Sequence, residues 1–229
     1  LGVGFVVAER RSPVPLVPLN LLTSGSLPGA VAVMMAATSI LYAAFFLSSI
    51  FLQDIRHFSA LKTGLIFLPI AVATVVGAHL GGGHIGKFGP PKVAAAGMAV
   101  TAVGVLTMAW VSPTSPVFLS VAIGFFLAAL GIGATFVTAI GSGVATVDQQ
   151  YAGVASGILN TGHELGGALG VALVSAVAGS ALTGTGPVAA GFDRAYLVLG
   201  GIGLLGAVAA ALVLPSHLPE TGDGRRFLH

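Results

Sequence analysis

Six stretches of this chain are almost wholly apolar and long enough to cross a bilayer, at roughly 29–52, 63–84, 91–111, 117–142, 152–178 and 195–214. A hydrocarbon core about 30 Å thick needs about 20 such residues at 1.5 Å rise per residue. They are too long and too continuous for barrel strands, which alternate polarity over about 10 residues. Lipid offers a backbone amide no partner, so a lone spanning segment must satisfy its own hydrogen bonds, and the helix does that. The expected fold is therefore an all-α membrane protein, a bundle of six transmembrane helices.

Composition closes off the alternatives. The chain is 55% hydrophobic and 7% charged, where a soluble domain carries about a quarter charged residues. So few charges could not hydrate the surface of a water-soluble fold, whereas a lipid bilayer accepts an apolar exterior. The net charge of +2 does not point to nucleic acid, because the Lys and Arg residues lie between the apolar stretches with no basic run interleaved with aromatics. With no cysteine there is no disulfide, no thiolate nucleophile and no Cys-based metal site. The six histidines show no metal-ligand spacing, and neither metal nor cofactor is expected. The 34 glycines are about twice the usual share of roughly 7%; in membrane helices small residues let backbones approach, so this is a packing signal.

Punctuation falls between the stretches. Gly89, Pro90 and Pro91 separate the second from the third, SPTSP (Ser112 to Pro116) the third from the fourth, and TGTGP (Thr183 to Pro187) opens the fifth connection. Residues 9–28 begin ERRSPVPLVPLN and read as a basic, Pro-rich cytoplasmic linker; Pro215 and Pro219 close the last helix, with 215–229 a cytoplasmic tail. The opening LGVGFVVAERR is too short in its apolar run for a signal peptide, and its charges follow rather than precede that run. Residues 1–8 read as the tail of a preceding transmembrane helix, and the chain as a fragment. Cytoplasmic loops carry the excess of Lys and Arg. Placing Arg10, Arg11, Lys87, Lys92, Arg225 and Arg226 inside leaves Arg56, Lys62 and Arg194 outside. That puts both ends in the cytoplasm of a multi-pass protein of the cell membrane.

Glu164 is the acidic residue set deepest in any of the six stretches. It lies about 18 Å along its helix, near the middle of the hydrocarbon core. A charge there costs about 2.5–3.5 kcal/mol on insertion scales, so it should face protein or a water-filled cavity. Two readings stand: a proton carrier whose pKa moves with exposure, or a neutral carboxyl hydrogen-bonded to a neighbouring helix. His163 is adjacent in sequence but about 100° around the helix, and the two need not share a site. Asn160 lies one turn earlier on the same face as Glu164. Gly162, Gly166 and Gly170 form a repeated GxxxG ridge on the same helix, a close-packing device. GIGATF (Gly131 to Phe136) lacks the strand and acidic partner of a dinucleotide fingerprint. Asp148 is placed to cap the fifth helix. Asp54, Arg56 and His57 read as a charged interfacial loop, and His79 and His84 carry no distinct signal. No nucleophile, base and acid come together outside the membrane stretches, so an enzyme is not expected.

Three local patterns carry a resemblance. GGGHIGKFGPPK (Gly81 to Lys92) resembles the Gly-rich basic cytoplasmic loop between the second and third helices of each half of major facilitator superfamily transporters. Its motif positions here are Gly82, Gly86, Lys87, Gly89 and Lys92, with Gly86 and Lys87 standing where the family has an acidic residue and Arg. YAGVASGILNTGHELGGALGVAL (Tyr151 to Leu173) resembles the fifth helix of the C-terminal half of the fourteen-helix drug:proton antiporters, with His163 and Glu164 where that group has a polar residue and Gln. ERRSPVPLVPLNLL (Glu9 to Leu22) is similar to the linker entering that half. The resemblance implies a C-terminal domain with a 3+3 inverted repeat and a partner in the N-terminal half of the same transporter. It implies proton-coupled efflux of small amphipathic or drug-like compounds by alternating access. It also implies that the first helix lines the substrate cavity, making Thr38, Ser39, Tyr42, Phe45 and Phe46 candidates beside Asn160, with Glu164 and His163 the candidates for proton coupling. Two other readings are a transporter of sugars, organic acids or peptides, and a non-transporting bundle or truncated remnant.

Overall fold

The computed structural model describes residues 18–23, 25–109, 121–182 and 188–216. The expected 1–8 tail and most of the linker and C-terminal tail lie outside these. Among the described residues there is no strand. The long helices are α1 Leu27–Ile50, α2 Ala60–Phe88, α3 Pro90–Thr107, α4 Ile123–Ala145, α5 Ala152–Val177 and α6 Val188–Val213. Among them, five are long and apolar enough to cross a membrane. The exception is α5, whose Asn160, His163 and Glu164 dilute its hydropathy.

Local chemistry explains where the helices depart from the sequence-based boundaries. Pro28 fits the first turn of α1, where its missing N–H is no loss, so α1 starts at Leu27. It ends in a π-helical turn, Phe51–Ile55. α2 is longer than 63–84 at both ends. Ser59 caps it by accepting from Lys62 N at 3.3 Å, and it runs on to Phe88. The expected Gly-rich loop at 81–92 is thus helix through Phe88, and Gly89 alone turns the chain, at φ 81°. Glycine weakens an exposed helix by about 1 kcal/mol, but an unpaired amide in lipid costs several, so the helix persists.

α3 is followed by two turn bonds, Met108 N to Val105 O and Ala109 N to Leu106 O, both 3.1 Å; the expected 110–111 and 117–120 lie outside the described residues. α6 starts at Val188 rather than 195 and takes Asp193 and Arg194 into its first turns. Asp148 does not cap α5. A 3-10 turn, Gln149–Tyr151, intervenes, and Asp148 serves through its carbonyl, which accepts from Tyr151 N at 2.8 Å, with no side-chain cap bond.

The core is built around α1, whose Ala30, Val33, Ala37, Ile40, Ala44 and Leu47 are completely buried. α1 packs along α5 and also meets α4 and α6; α4 packs along α2 and α3, and α3 along α6. Backbones meet where side chains vanish: Gly97 lies on Gly131 between α3 and α4, and Gly77 on the Leu130 backbone between α2 and α4. The outside is apolar. Leu61, Leu65, Leu68, Val72 and Val75 of α2 and Leu204, Leu205 and Leu212 of α6 are exposed, an exterior that suits a bilayer or another apolar helix better than water.

Candidate functional site

The stripe Ala155, Leu159, Gly162, Gly166, Gly170 and Val174 buries one face of α5. Gly162 meets Val31, Gly166 meets Met35 and Thr38, and Gly170 meets the Ser39 backbone. A Cβ at Gly166 or Gly170 would enter the α1 backbone, so the three glycines set the separation of α1 and α5. Ser39 Oγ ties the seam, donating within its 2.8 Å contacts to Gly166 O and to Met35 O.

This packing turns the polar face of α5 away from the bundle. Ser156, Asn160, Thr161 and Glu164 are exposed, and the Glu164 side chain is 63% exposed. His163, 25% exposed, sits at the border between the two faces. Its ring meets Tyr42 edge-on at 5.5 Å between centroids and Phe136 at 5.7 Å, so α1, α4 and α5 converge on it. Its Nδ1 lies 3.3 Å from Glu164 Oε1. Backbone direction alone left the two apart; their side chains bring them together. A cavity of about 200 Å³ opens beside them, lined by Met34, Ile140, Ser156, Leu159, Asn160 and His163.

The remaining expected site residues separate into groups. Thr38 is buried in the α1–α5 seam and returns its hydroxyl to Met34 O at 3.0 Å. Tyr42 lies over Gly167 and reaches His163. Phe45 instead packs edge-on against Phe67 of α2 and Phe125 of α4, at 4.9 and 4.6 Å. Phe46 is half-buried against the core. Gly82, Gly86 and Lys87 lie in the last turns of α2, and Lys92 is exposed in the first turn of α3. Phe136 was missed. It lies in the GIGATF run weighed only as a nucleotide signature, and its place on a helix facing His163 leaves no trace in local spacing.

The site sets a carboxylate beside an imidazole, with an amide one turn away and the Tyr42 and Phe136 rings behind the histidine. Residues 4–171 match the family described as Major Facilitator Superfamily. The chain belongs to that superfamily, whose members are multi-pass membrane transporters. It is 29% identical, over 96% of its length, to a puromycin resistance protein of Streptomyces alboniger, covering 48% of that protein. A lincomycin resistance protein of Streptomyces lincolnensis is 33% identical over 92% of this chain and 43% of its own length. The multidrug resistance protein Stp of Mycobacterium tuberculosis is 28% identical over 79% of this chain and 33% of its own length. The chain thus spans less than half the length of these curated relatives.

Proposed function

We propose that this chain is the C-terminal half of a fourteen-helix transporter that exports small amphipathic, drug-like compounds across the cytoplasmic membrane in exchange for protons. Six helices, α5 included, span the bilayer with both ends cytoplasmic. Substrate sits between this half and the N-terminal half, and two bundles rock about that site. The names of the relatives support drug export. The contact pattern supports a 3+3 repeat: exchanging α1, α2 and α3 for α4, α5 and α6 maps the α1–α5 seam onto α4–α2, and α3–α4 onto α6–α1.

The observation that carries the proton-coupled reading is Glu164. A carboxylate is set at mid-helix on a face that this chain leaves uncovered, with His163 at 3.3 Å. A carboxyl group that faces an aqueous cavity in one conformation and a closed interface in the other ties proton binding to the conformational change, which is what a proton-coupled carrier needs. The test uses inverted membrane vesicles from cells expressing the protein that carries this sequence. The vesicles are energised, cationic dyes are added, and the pH gradient is read with a quenched fluorophore. Dyes should dissipate the gradient with the native protein and not with Glu164→Gln at equal protein level. Equal dissipation by both would leave antiport standing and Glu164 structural. No response to any dye would sink drug export.

A further inference from the structure

We infer that the groove between α2 and α3 binds one anionic phospholipid, its acyl chain along the groove and its phosphate between Lys87 and Lys92. The groove follows from the glycines. Gly97 brings α3 onto α4 at Gly131, and Gly81 brings α2 onto α4 at Ala134. α2 and α3 each hug α4, leaving a cleft between them with α4 as its floor. Its volume is about 410 Å³, and its walls include Leu80, Val100 and Ala134. From Lys92 to Val100 it follows α3 for eight residues, about 12 Å of helix. At one end stands a flat wall, the His84 ring stacked on Phe88 with 6° between planes.

Beside that end lies a second, polar recess of about 400 Å³, lined by Lys87, Gly89, Lys92 and Ser216. Phe88 and Lys92 border both spaces. Apolar trough and basic recess therefore adjoin in the order of a phospholipid's tail and headgroup. Lys87 Nζ lies 5.2 Å from the Phe88 ring centroid. Among the described residues neither lysine has a carboxylate within ion-pair distance, and the charge of the pair complements an anionic headgroup. A zwitterionic lipid would set a cation beside them. Basic pockets between helices at the cytoplasmic side favour anionic headgroups for this reason.

The test uses the purified protein that carries this sequence, in detergent. It is mixed with equal amounts of phosphatidylglycerol and phosphatidylcholine of identical chains, and retained lipid is counted by native mass spectrometry. The native protein should retain phosphatidylglycerol by roughly 10- to 30-fold over phosphatidylcholine. Lys87→Gln/Lys92→Gln should bring that ratio to within about twofold, while Lys87→Arg/Lys92→Arg keeps the preference and controls for folding. Ala96→Phe, which fills the groove from an exposed position, should abolish retention with both lysines in place. Equal retention of the two lipids by the native protein would overturn the inference. So would a preference unchanged by the glutamines, or displacement of the lipid by millimolar glycerol phosphate, the mark of a bare anion site. No transport is measured, so failure here and failure of the export reading are distinct results.

Discussion

His163 Nδ1 lies 3.3 Å from Glu164 Oε1, although successive residues on a helix diverge by about 100°. The histidine is held from behind by Tyr42 and Phe136, while the glutamate hangs on the open face. The carboxylate therefore reaches back to a fixed ring. Two roles of His163 follow, one in packing and one toward Glu164, and substitutions separate them.

His163→Phe keeps an aromatic ring between Tyr42 and Phe136 and removes the nitrogen. The expected outcome is a thermal midpoint in detergent close to that of the native protein, with dye-driven proton movement slowed. His163→Ala should lower the midpoint as well, since aromatic pairs are worth about 0.5–1.5 kcal/mol each. Parallel melting and vesicle assays check this. Equal transport by His163→Phe and the native protein would leave the histidine a packing residue only.

The α1–α5 seam makes a sharper structural prediction. Gly166→Leu should lower stability by about 1–3 kcal/mol or more, because a Cβ there enters the Met35 backbone and the Thr38 hydroxyl. Gly157→Leu, on the same helix with nothing within 4 Å of a Cβ, should leave stability nearly unchanged. Ser39→Ala removes one interhelical bond, to Gly166 O, along with the local contact to Met35 O, and should cost about 0.6 kcal/mol, the average for such interhelical bonds. Chemical or thermal unfolding of the three variants ranks them, and a harmless Gly166→Leu would refute the seam.

These residues also mark how far the sequence could be read. Gly162, Gly166 and Gly170 recur every fourth residue, so their common face was legible from spacing, and they lie on the buried stripe of α5. Phe45 and Tyr42 share helix α1 and a similar chemistry, yet one joins Phe67 and Phe125 and the other joins His163. That division depends on which helix packs where, and local sequence does not contain it. The end of α2 was misplaced for another reason. Glycine and lysine at 81–87 look like a loop in water, but next to lipid the backbone keeps its hydrogen bonds as far as Phe88. Asp148 carried the chemistry of a cap, and a 3-10 turn displaced it from that position.

Gly89 is where α2 must stop, and its backbone explains why. At φ 81° and ψ 156° it occupies a region open essentially to glycine alone. A Cβ would also stand 2.8 Å from Ser216 O, at the polar recess that Lys87 and Lys92 line. Gly89→Ala should therefore lower stability by about 1–3 kcal/mol, or force the turn to relax and shift α3 against α2. Gly86→Ala, in a helical turn with open space around it, should be neutral or stabilising by up to about 1 kcal/mol. Melting midpoints of the two variants decide the matter. Equal midpoints would mean that the turn between α2 and α3 has another conformation, and the recess beside it another shape.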